Sequence, residues 1–317
     1  MSVSEGPVLV TGGAGFIGSH LVDALIAAGV PVRVADNLST GRLDNLAHQA
    51  GRFEWLEGDL ADFSFACRAV HGVASVLHQA AIPSVPRSVQ EPLTSHASGP
   101  TATLHVLEAA RRAGVRRVVF AASSSAYGDT SELPKRESML PCPLSPYAAG
   151  KLAGEHYVRV YAQTMGLDGV SLRYFNVFGP RQDPSSPYSG VISRFAQALI
   201  EGRRPTIYGD GEQTRDFTYV ANVVEANLLA LRHPKPLGGA VLNVGAGQRL
   251  SLNHLLRQMQ QILGTQLDAD YQPPRDGDVR DSLAALDTIE TVLGYRPVVD
   301  FEEGLRRTLA WFRTSRI

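Results

Sequence analysis

The run Val8-Leu9-Val10-Thr11-Gly12-Gly13-Ala14-Gly15-Phe16-Ile17-Gly18 constrains this chain more than any other segment. A short apolar stretch, the pattern of a buried strand, breaks into glycines and resumes at helical spacing through His20, Leu21, Ala24 and Leu25. Gly13, Gly15 and Gly18 satisfy G-x-G-x-x-G in the setting that gives the motif meaning, after a strand and opening a helix. Such glycines permit a tight turn, let the backbone approach a pyrophosphate, and let helix and strand pack closely. The helix start offers unpaired N–H groups and a positive dipole end to phosphate. Asp36 closes a second apolar run, 31–35, about 20 residues on, where a carboxylate can bond a ribose 2′-OH. Its charge would repel a 2′-phosphate, so NAD is expected rather than NADP. Glycines alone also fit a structural loop; strand, helix and acid together favour a dinucleotide.

Strand-like runs at 8–10, 32–35, 53–56, 75–78, 117–121 and 170–174 alternate with helical patterns, notably 98–113 and 147–165. The alternation predicts an α/β fold: a Rossmann-type doubly wound parallel sheet with helices on both faces. From Asn176 onward the regularity weakens and Pro and Gly cluster, as in Gly179-Pro180 and Gly209-Asp210-Gly211. The expected division is an NAD-binding portion over 1–175 and a smaller α/β substrate-binding portion over 176–317. Leu242-Asn243-Val244 reads as a late strand, so 218–245 is expected to return to the first portion.

Composition removes several classes. A net charge of -1 over 317 residues gives no field that draws the whole chain to nucleic acid or membrane. Arg111, Arg112, Arg116 and Arg117 cluster, but a solvated helix end beside the strand 118–120 explains them better than a nucleic-acid contact. No apolar run has the length of a membrane span. The first residues lack a signal pattern, and Cys67 and Cys142 are too few for a disulfide framework, so a reduced, cytoplasmic setting is expected. The nine histidines show no ligand spacing, and no metal is expected.

Tyr147 and Lys151 form Y-x-x-x-K, with Ser145-Pro146 suited to a helix start just before them. The spacing places both on one helical face. An ammonium near a phenol favours the phenolate, which predicts a lowered tyrosine pKa and a general base. The plain alternative is a surface helix pair. Upstream, 121–128 closes the strand 117–121 with Ser123-Ser124-Ser125, and the carboxyl end of such a strand is where ligands bind. A hydroxyl there can hold a substrate oxygen near Tyr147; a polar turn is the alternative.

The glycine motif, Asp36, Gly58-Asp59-Leu60, the serine run, Tyr147 and Lys151 together resemble the extended short-chain dehydrogenase/reductase family over essentially the whole chain. More narrowly, the chain resembles nucleotide-sugar 4-epimerases in 173–181, in Tyr208-Gly209-Asp210-Gly211 with Arg215-Asp216-Phe217, and in Arg275-Asp276-Gly277-Asp278. Ser84-Val85-Pro86-Arg87-Ser88 and Ser186-Pro187-Tyr188 are similar to bacterial UDP-N-acetylglucosamine 4-epimerases of polysaccharide biosynthesis. The resemblance implies NAD held by Gly12, Gly13, Gly15, Phe16, Ile17, Gly18, Asp36 and Asn37. Asp59, Leu60, Gln79, Ala80, Ala81, Tyr147 and Lys151 complete that expected set. It implies a UDP-sugar held by Ser84, Ser123, Ser124, Asn176, Tyr208, Arg215, Arg275, Asp278 and Ser282. Arg215 and Arg275 would fork onto the diphosphate, although each alone fits a surface ion pair. Asp278 would hold the uridine ribose.

The implied reaction oxidises C4 of the sugar with tightly held NAD, turns the 4-keto sugar in the pocket, and returns the hydrogen to its other face. Tyr147 would take the 4-OH proton, Ser123 (or Ser124) would hold the 4-oxygen, and Lys151 would tune Tyr147 and bond the nicotinamide ribose. UDP-N-acetylglucosamine and UDP-N-acetylgalactosamine are the expected pair, with UDP-glucose and UDP-galactose as possible substrates and UDP-glucuronate 4-epimerisation as the alternative. Ser125-Ala126 stands where resembling dehydratases and decarboxylases carry an acid, which argues against both. Ser282 falls at a gate beside the sugar 2-substituent, where a small residue leaves room for an N-acetyl group; an exposed turn serine is the alternative. The chain departs from the family near Gly99, where the family often carries an asparagine that is here either absent or replaced by Ser98 or Thr101. It also departs at Ser84, where some epimerases carry lysine, and at Arg280-Asp281-Ser282. A homodimer through 98–113 and 147–165 is expected, with Leu104, Val106, Leu107, Val158 and Val160 as packing surface. A non-catalytic NAD-binding sensor or scaffold is the alternative of a different class.

Overall fold

The computed structural model describes residues 6–183, 190–274 and 279–314. Its first six strands are β1 (Val8–Thr11), β2 (Val32–Asp36), β3 (Glu54–Glu57), β4 (Ser75–His78), β5 (Arg117–Ser123) and β6 (Asp168–Tyr174). Short strands β7 (Val177–Phe178), β8 (Thr206–Tyr208), β9 (Thr214–Arg215) and β10 (Thr218–Tyr219) precede β11 (Ala240–Val244); β12 (Leu250–Ser251) and β13 (Asp270–Gln272) follow. The main sheet runs β3-β2-β1-β4-β5-β6-β11, every pair parallel. The late strand at 242–244 therefore lies inside β11, at the sheet edge against β6. The chain reverses its direction of sheet growth between β1 and β4, and such a switch point opens a crevice at the strand carboxyl ends.

The helices are α1 (Phe16–Ala27), α2 (Phe63–Val70), α3 (Val85–Gln90), α4 (Pro92–His96), α5 (Ala102–Arg112), α6 (Pro146–Thr164), α7 (Val191–Ile200), α8 (Val220–Arg232), α9 (Leu252–Leu263), α10 (Asp287–Leu293) and α11 (Phe301–Thr314). None is long and apolar enough to cross a membrane. Successive strand residues face opposite sides, so each central strand feeds two cores. Val8, Val10, Val119 and Ala121 join α1 and α8 on one side. Leu9, Val118, Phe120 and Ala122 join α2, α5 and α6 on the other. A third core, centred on Phe178, Phe195, Phe217, Leu255 and Phe301, holds α7, α9 and α11 together.

Three expectations need correction. The helical pattern at 98–113 is a longer rod, with α4 passing through a π-helical stretch, 97–101, into α5. Pro100 sits inside that stretch and cannot donate a regular helical bond. Second, Arg117 is no solvated helix end. It is 1% exposed, donates to Asp168 at 2.6 Å, and reaches the carbonyls of Ala230, His233 and Lys235. Arg111 and Arg112, by contrast, pair with Glu108 at the surface. Third, Val106, Leu107 and Val158 are buried in their own protomer's core and offer no docking surface. Their periodicity matched α5 and α6, but those faces lie on the sheet.

Candidate active site

A cleft of about 1500 Å³ opens over the carboxyl ends of β1, β2, β4, β5 and β6. Sites for single drug-sized ligands run to about 1,000 Å³, so this cleft has room for a dinucleotide and a second ligand.

One end is made of backbone. β1 is followed by Gly12, whose φ of 64° is the left-handed turn, one residue before the motif's Gly13. A Cβ on Gly12 would lie 2.8 Å from the Ala80 backbone, and one on Gly18 would lie 2.1 Å from the Gly12 carbonyl oxygen. Gly15 caps α1 with no side chain across its N-terminus, leaving those N–H groups to a phosphate. Gly13 packs beneath, against Val34, while Gly12, Gly15, Phe16, Ile17 and Gly18 line the cleft. Asp36, at the end of β2, accepts from Ala14 N at 3.0 Å and Leu38 N at 2.9 Å, one bond on each carboxylate oxygen. A carboxylate has about four acceptor sites, which leaves two for ribose hydroxyls. Burial pushes this carboxyl upward against the pull of those N–H groups. Asn37, Asp59, Leu60, Gln79, Ala80 and Ala81 also line this end. Arg42, Asn45 and His48 do too, and their loop gave no sequence signal. These residues fit NAD.

The middle of the cleft holds the reactive side chains. Ser145 caps α6, its Oγ accepting from Ala148 N at 3.1 Å, with Pro146 in the first turn. The cap directs Tyr147 and Lys151 into the cleft. Lys151 Nζ donates to the Ala121 carbonyl at 2.7 Å and sits 6.0 Å from the Tyr147 ring centroid. The expected lowering of the tyrosine pKa is not met. Burial pushes the Tyr147 phenol up, and the hydrogen bond with Ser123 opposes it. Burial also brings Lys151 down to about 8. Ser123 ends β5, accepting from Ser125 N at 3.2 Å and from Ser125 Oγ at 2.8 Å; Ser124 lines the cleft beside it. Behind them, buried His78 bridges Thr11 Oγ1 at 2.7 Å and Thr103 Oγ1 at 3.1 Å.

The other end is assembled from loops. Asn176 has a φ of 28°, left-handed for a residue with a side chain. Its Nδ2 donates to Ser282 Oγ and to the Asp216 carbonyl, each at 3.1 Å. Ser282 is therefore no exposed turn serine: it is buried and also accepts from Asp216 N at 3.3 Å. Asp216 is buried and takes the N–H groups of Ala246, Gly247 and Ala284. Arg215 lines both the main cleft and a neighbouring cavity of about 230 Å³; Tyr208 lines only that neighbour. Ser84 lines the cleft but spends its hydroxyl capping α3, accepting from Arg87 N at 3.0 Å. Arg275, Asp278 and the 186–188 segment lie outside the described residues.

A dinucleotide cradle, a Tyr-Lys pair and a second pocket on one parallel sheet define an NAD-dependent enzyme of the extended short-chain dehydrogenase/reductase type. The chain belongs to the NAD dependent epimerase/dehydratase family, whose model matches residues 8–245. It is 41% identical to a UDP-glucose 4-epimerase of Mycolicibacterium smegmatis, covering 97% of this chain and 98% of that one. Among solved structures it is similar to a Methanobrevibacter ruminantium UDP-N-acetylglucosamine 4-epimerase in complex with UDP-N-acetylmuramic acid. That likeness has a TM-score of 0.93 and 40% identity over 98% of each chain. A Thermus thermophilus UDP-glucose 4-epimerase in complex with NAD matches with a TM-score of 0.89 and 39% identity, over 98% of this chain and 99% of that one.

Proposed function

We propose that this enzyme is a UDP-sugar 4-epimerase whose pocket accepts N-acetylated sugars, interconverting UDP-N-acetylglucosamine and UDP-N-acetylgalactosamine. The observation that carries the reading is that Ser282, which lines the same cleft as Ser123 and Tyr147, is small and is fixed by Asn176. Gly12, Gly15, Gly18 and Asp36 would hold NAD at the glycine end, where it would supply a reversible hydride acceptor for C4. Tyr147 takes and gives back the 4-OH proton, and Ser123 donates to the 4-oxygen as it becomes a ketone. Arg215 and Arg275 hold the nucleotide diphosphate and Asp278 the uridine ribose while the sugar turns, so binding energy far from C4 retains the intermediate. Burial opposes ionisation of Tyr147, so the positive charge of Lys151 is needed to favour the phenolate. Cofactor contacts fall to Gly12, Gly15, Gly18 and Asp36, within an NAD-binding portion proposed to span 1–175 with 218–245 returning to it.

Ser125 and Ala126 follow Ser123 with no acid, which supports epimerisation over elimination or decarboxylation. Arg87 and Arg181, the arginines of the cleft lining that could meet a sugar carboxylate, are paired with Glu91 and Asp23. That disfavours the glucuronate alternative. The test is a panel of UDP-N-acetylglucosamine, UDP-glucose and UDP-glucuronate with each 4-epimer quantified. Turnover of UDP-glucuronate alone would overturn the substrate assignment, and no turnover would favour a scaffold. A homodimer is also proposed, through exposed Leu93 on α4 and Val160 on α6; a monomeric mass in light scattering would refute it.

A further inference from the structure

Beneath the reactive side chains lies a buried ion pair that the proposed chemistry leaves unused. Glu155 and Arg173 are each 3% exposed. Arg173 Nε donates to Glu155 Oε1 at 2.9 Å, and Nη2 donates to Oε2 at 2.7 Å, a two-pronged fork. The guanidinium lies 4.5 Å from the Tyr127 ring centroid, and Tyr127 Oη donates to Asn243 Oδ1 at 2.7 Å. The pair is thus wedged between α6, β6 and the turn after β5, with β11 behind. Apolar residues of similar volume are often as stable in such a place, or more so. Packing alone gives little reason for charges here.

Their position gives a better one. Glu155 follows Lys151 by four residues, so both side chains lie on one face of α6, a turn apart. Lys151 is buried, with the Phe120 ring 5.0 Å from its Nζ. The other titratable or charged groups packed toward it are Tyr147 on α6, His78 on β4 and Arg173 on β6. Tyr147 is a neutral phenol at rest. His78 is held neutral, its pKa pushed down to about 3 by burial and by the lysine's charge. Arg173 is positive. Glu155 is the carboxylate of this set, and the two bonds of the Arg173 fork fix its position.

We infer that Glu155 is a positioning residue for Lys151: clamped by Arg173, its carboxylate keeps the lysine an ammonium beside Tyr147 in a site that burial would otherwise neutralise. The inference rests on Lys151 acting as that ammonium in the proposed epimerisation. Burial is what lowers Lys151, and Glu155 is the group that opposes it.

The chain has three lysines, Lys135, Lys151 and Lys235, so isotope-labelled lysine in the NAD-loaded enzyme gives three side-chain NMR titrations. Each is assigned by its own Lys→Arg variant. Glu155→Gln is expected to lower the Lys151 midpoint by about one pH unit. The alkaline limb of kcat should move down with it, while KM for the UDP-sugar changes less. Glu155→Asp should recover part of the shift. The apolar double variant Glu155→Met with Arg173→Met refills the volume without charge. It should show a downward shift smaller than that of Glu155→Gln if the role is electrostatic, because the Arg173 charge is removed with that of Glu155, and wild-type titration if the role is packing. A Lys151 midpoint within about 0.3 units of wild type in Glu155→Gln overturns the inference, whether or not the double variant folds. If the wild type turns over no UDP-sugar, the epimerase reading fails while the lysine titration still decides the role of Glu155.

Discussion

At the cofactor end of the cleft the wall is main chain: Gly12 in a left-handed turn, Gly18 against the Gly12 carbonyl, and Gly15 opening α1. At the end proposed for the sugar the wall is side chain: Ser282, Asn176 and Arg215, carried on segments more than 30 residues apart in sequence. The first wall cannot change without moving the backbone of two elements. The second can change by one rotamer or one substitution. The difference explains how one family can keep a cofactor and vary its sugar. Recognition that must stay fixed is built from atoms every residue has, and recognition that can vary is built from atoms only one residue supplies.

The largest expected effect is at the main-chain wall. Gly18→Ala places a methyl only 2.1 Å from the Gly12 carbonyl oxygen. Such overpacking costs about 1–3 kcal/mol or more, so the purified variant should have lost its NAD and melt several degrees lower. Full NAD content, measured by absorbance of released nucleotide, would break the comparison, because it would show that this wall can yield. Between the two walls, Tyr147→Phe removes one oxygen and no volume. Epimerisation should fall by about 10²–10⁴-fold, the usual scale of general-base catalysis, with NAD content unchanged. Activity within threefold of wild type would remove Tyr147 from the proposed reaction.

The smallest effect is expected at the side-chain wall, and it should be selective. Ser282→Tyr brings bulk toward the sugar and releases Asn176 from its 3.1 Å bond. Ser282→Ala releases Asn176 without the bulk. UDP-N-acetylglucosamine turnover should drop by about 10–100-fold more than UDP-glucose turnover in the tyrosine variant, through steric exclusion rather than new attraction. The alanine variant should affect both sugars alike. Equal losses in the two variants would mean that Ser282 acts by holding Asn176, and the gate would have to be sought elsewhere.

The sequence made the main-chain wall legible and the side-chain wall much less so. Strand, glycines, helix and acid lie within 29 residues, from Val8 to Asp36, and their spacing is dictated by local geometry. The first six strands could be read within two residues because buried parallel strands are short apolar runs between helical patterns. The link between Asn176 and Ser282 spans 106 residues, and no periodicity encodes it. Tyr147 and Lys151 were visible as a pair, but the sign of the tyrosine shift was not, because spacing reports proximity and says nothing of burial. Glu155 carried only a weak mark, its four-residue step from Lys151. Its importance depends on Arg173, which arrives from another strand. Apolar periodicity on α5 and α6 likewise could not say whether a face meets a partner or its own sheet.

The last sheet strand has a consequence for how this protein can be divided. β11 pairs with β6, yet it reaches that place only after the chain has passed through β7, β8, β9, β10 and two helices. A fragment stopped near residue 175 would leave β6 with a row of unsatisfied N–H and C=O groups along its outer side. Such an edge is a template for intermolecular strand addition. The cofactor-binding half is thus not a separable module. Truncation there is expected to yield aggregates, and the edge is shielded only once the chain has been synthesised to about residue 244, the end of β11.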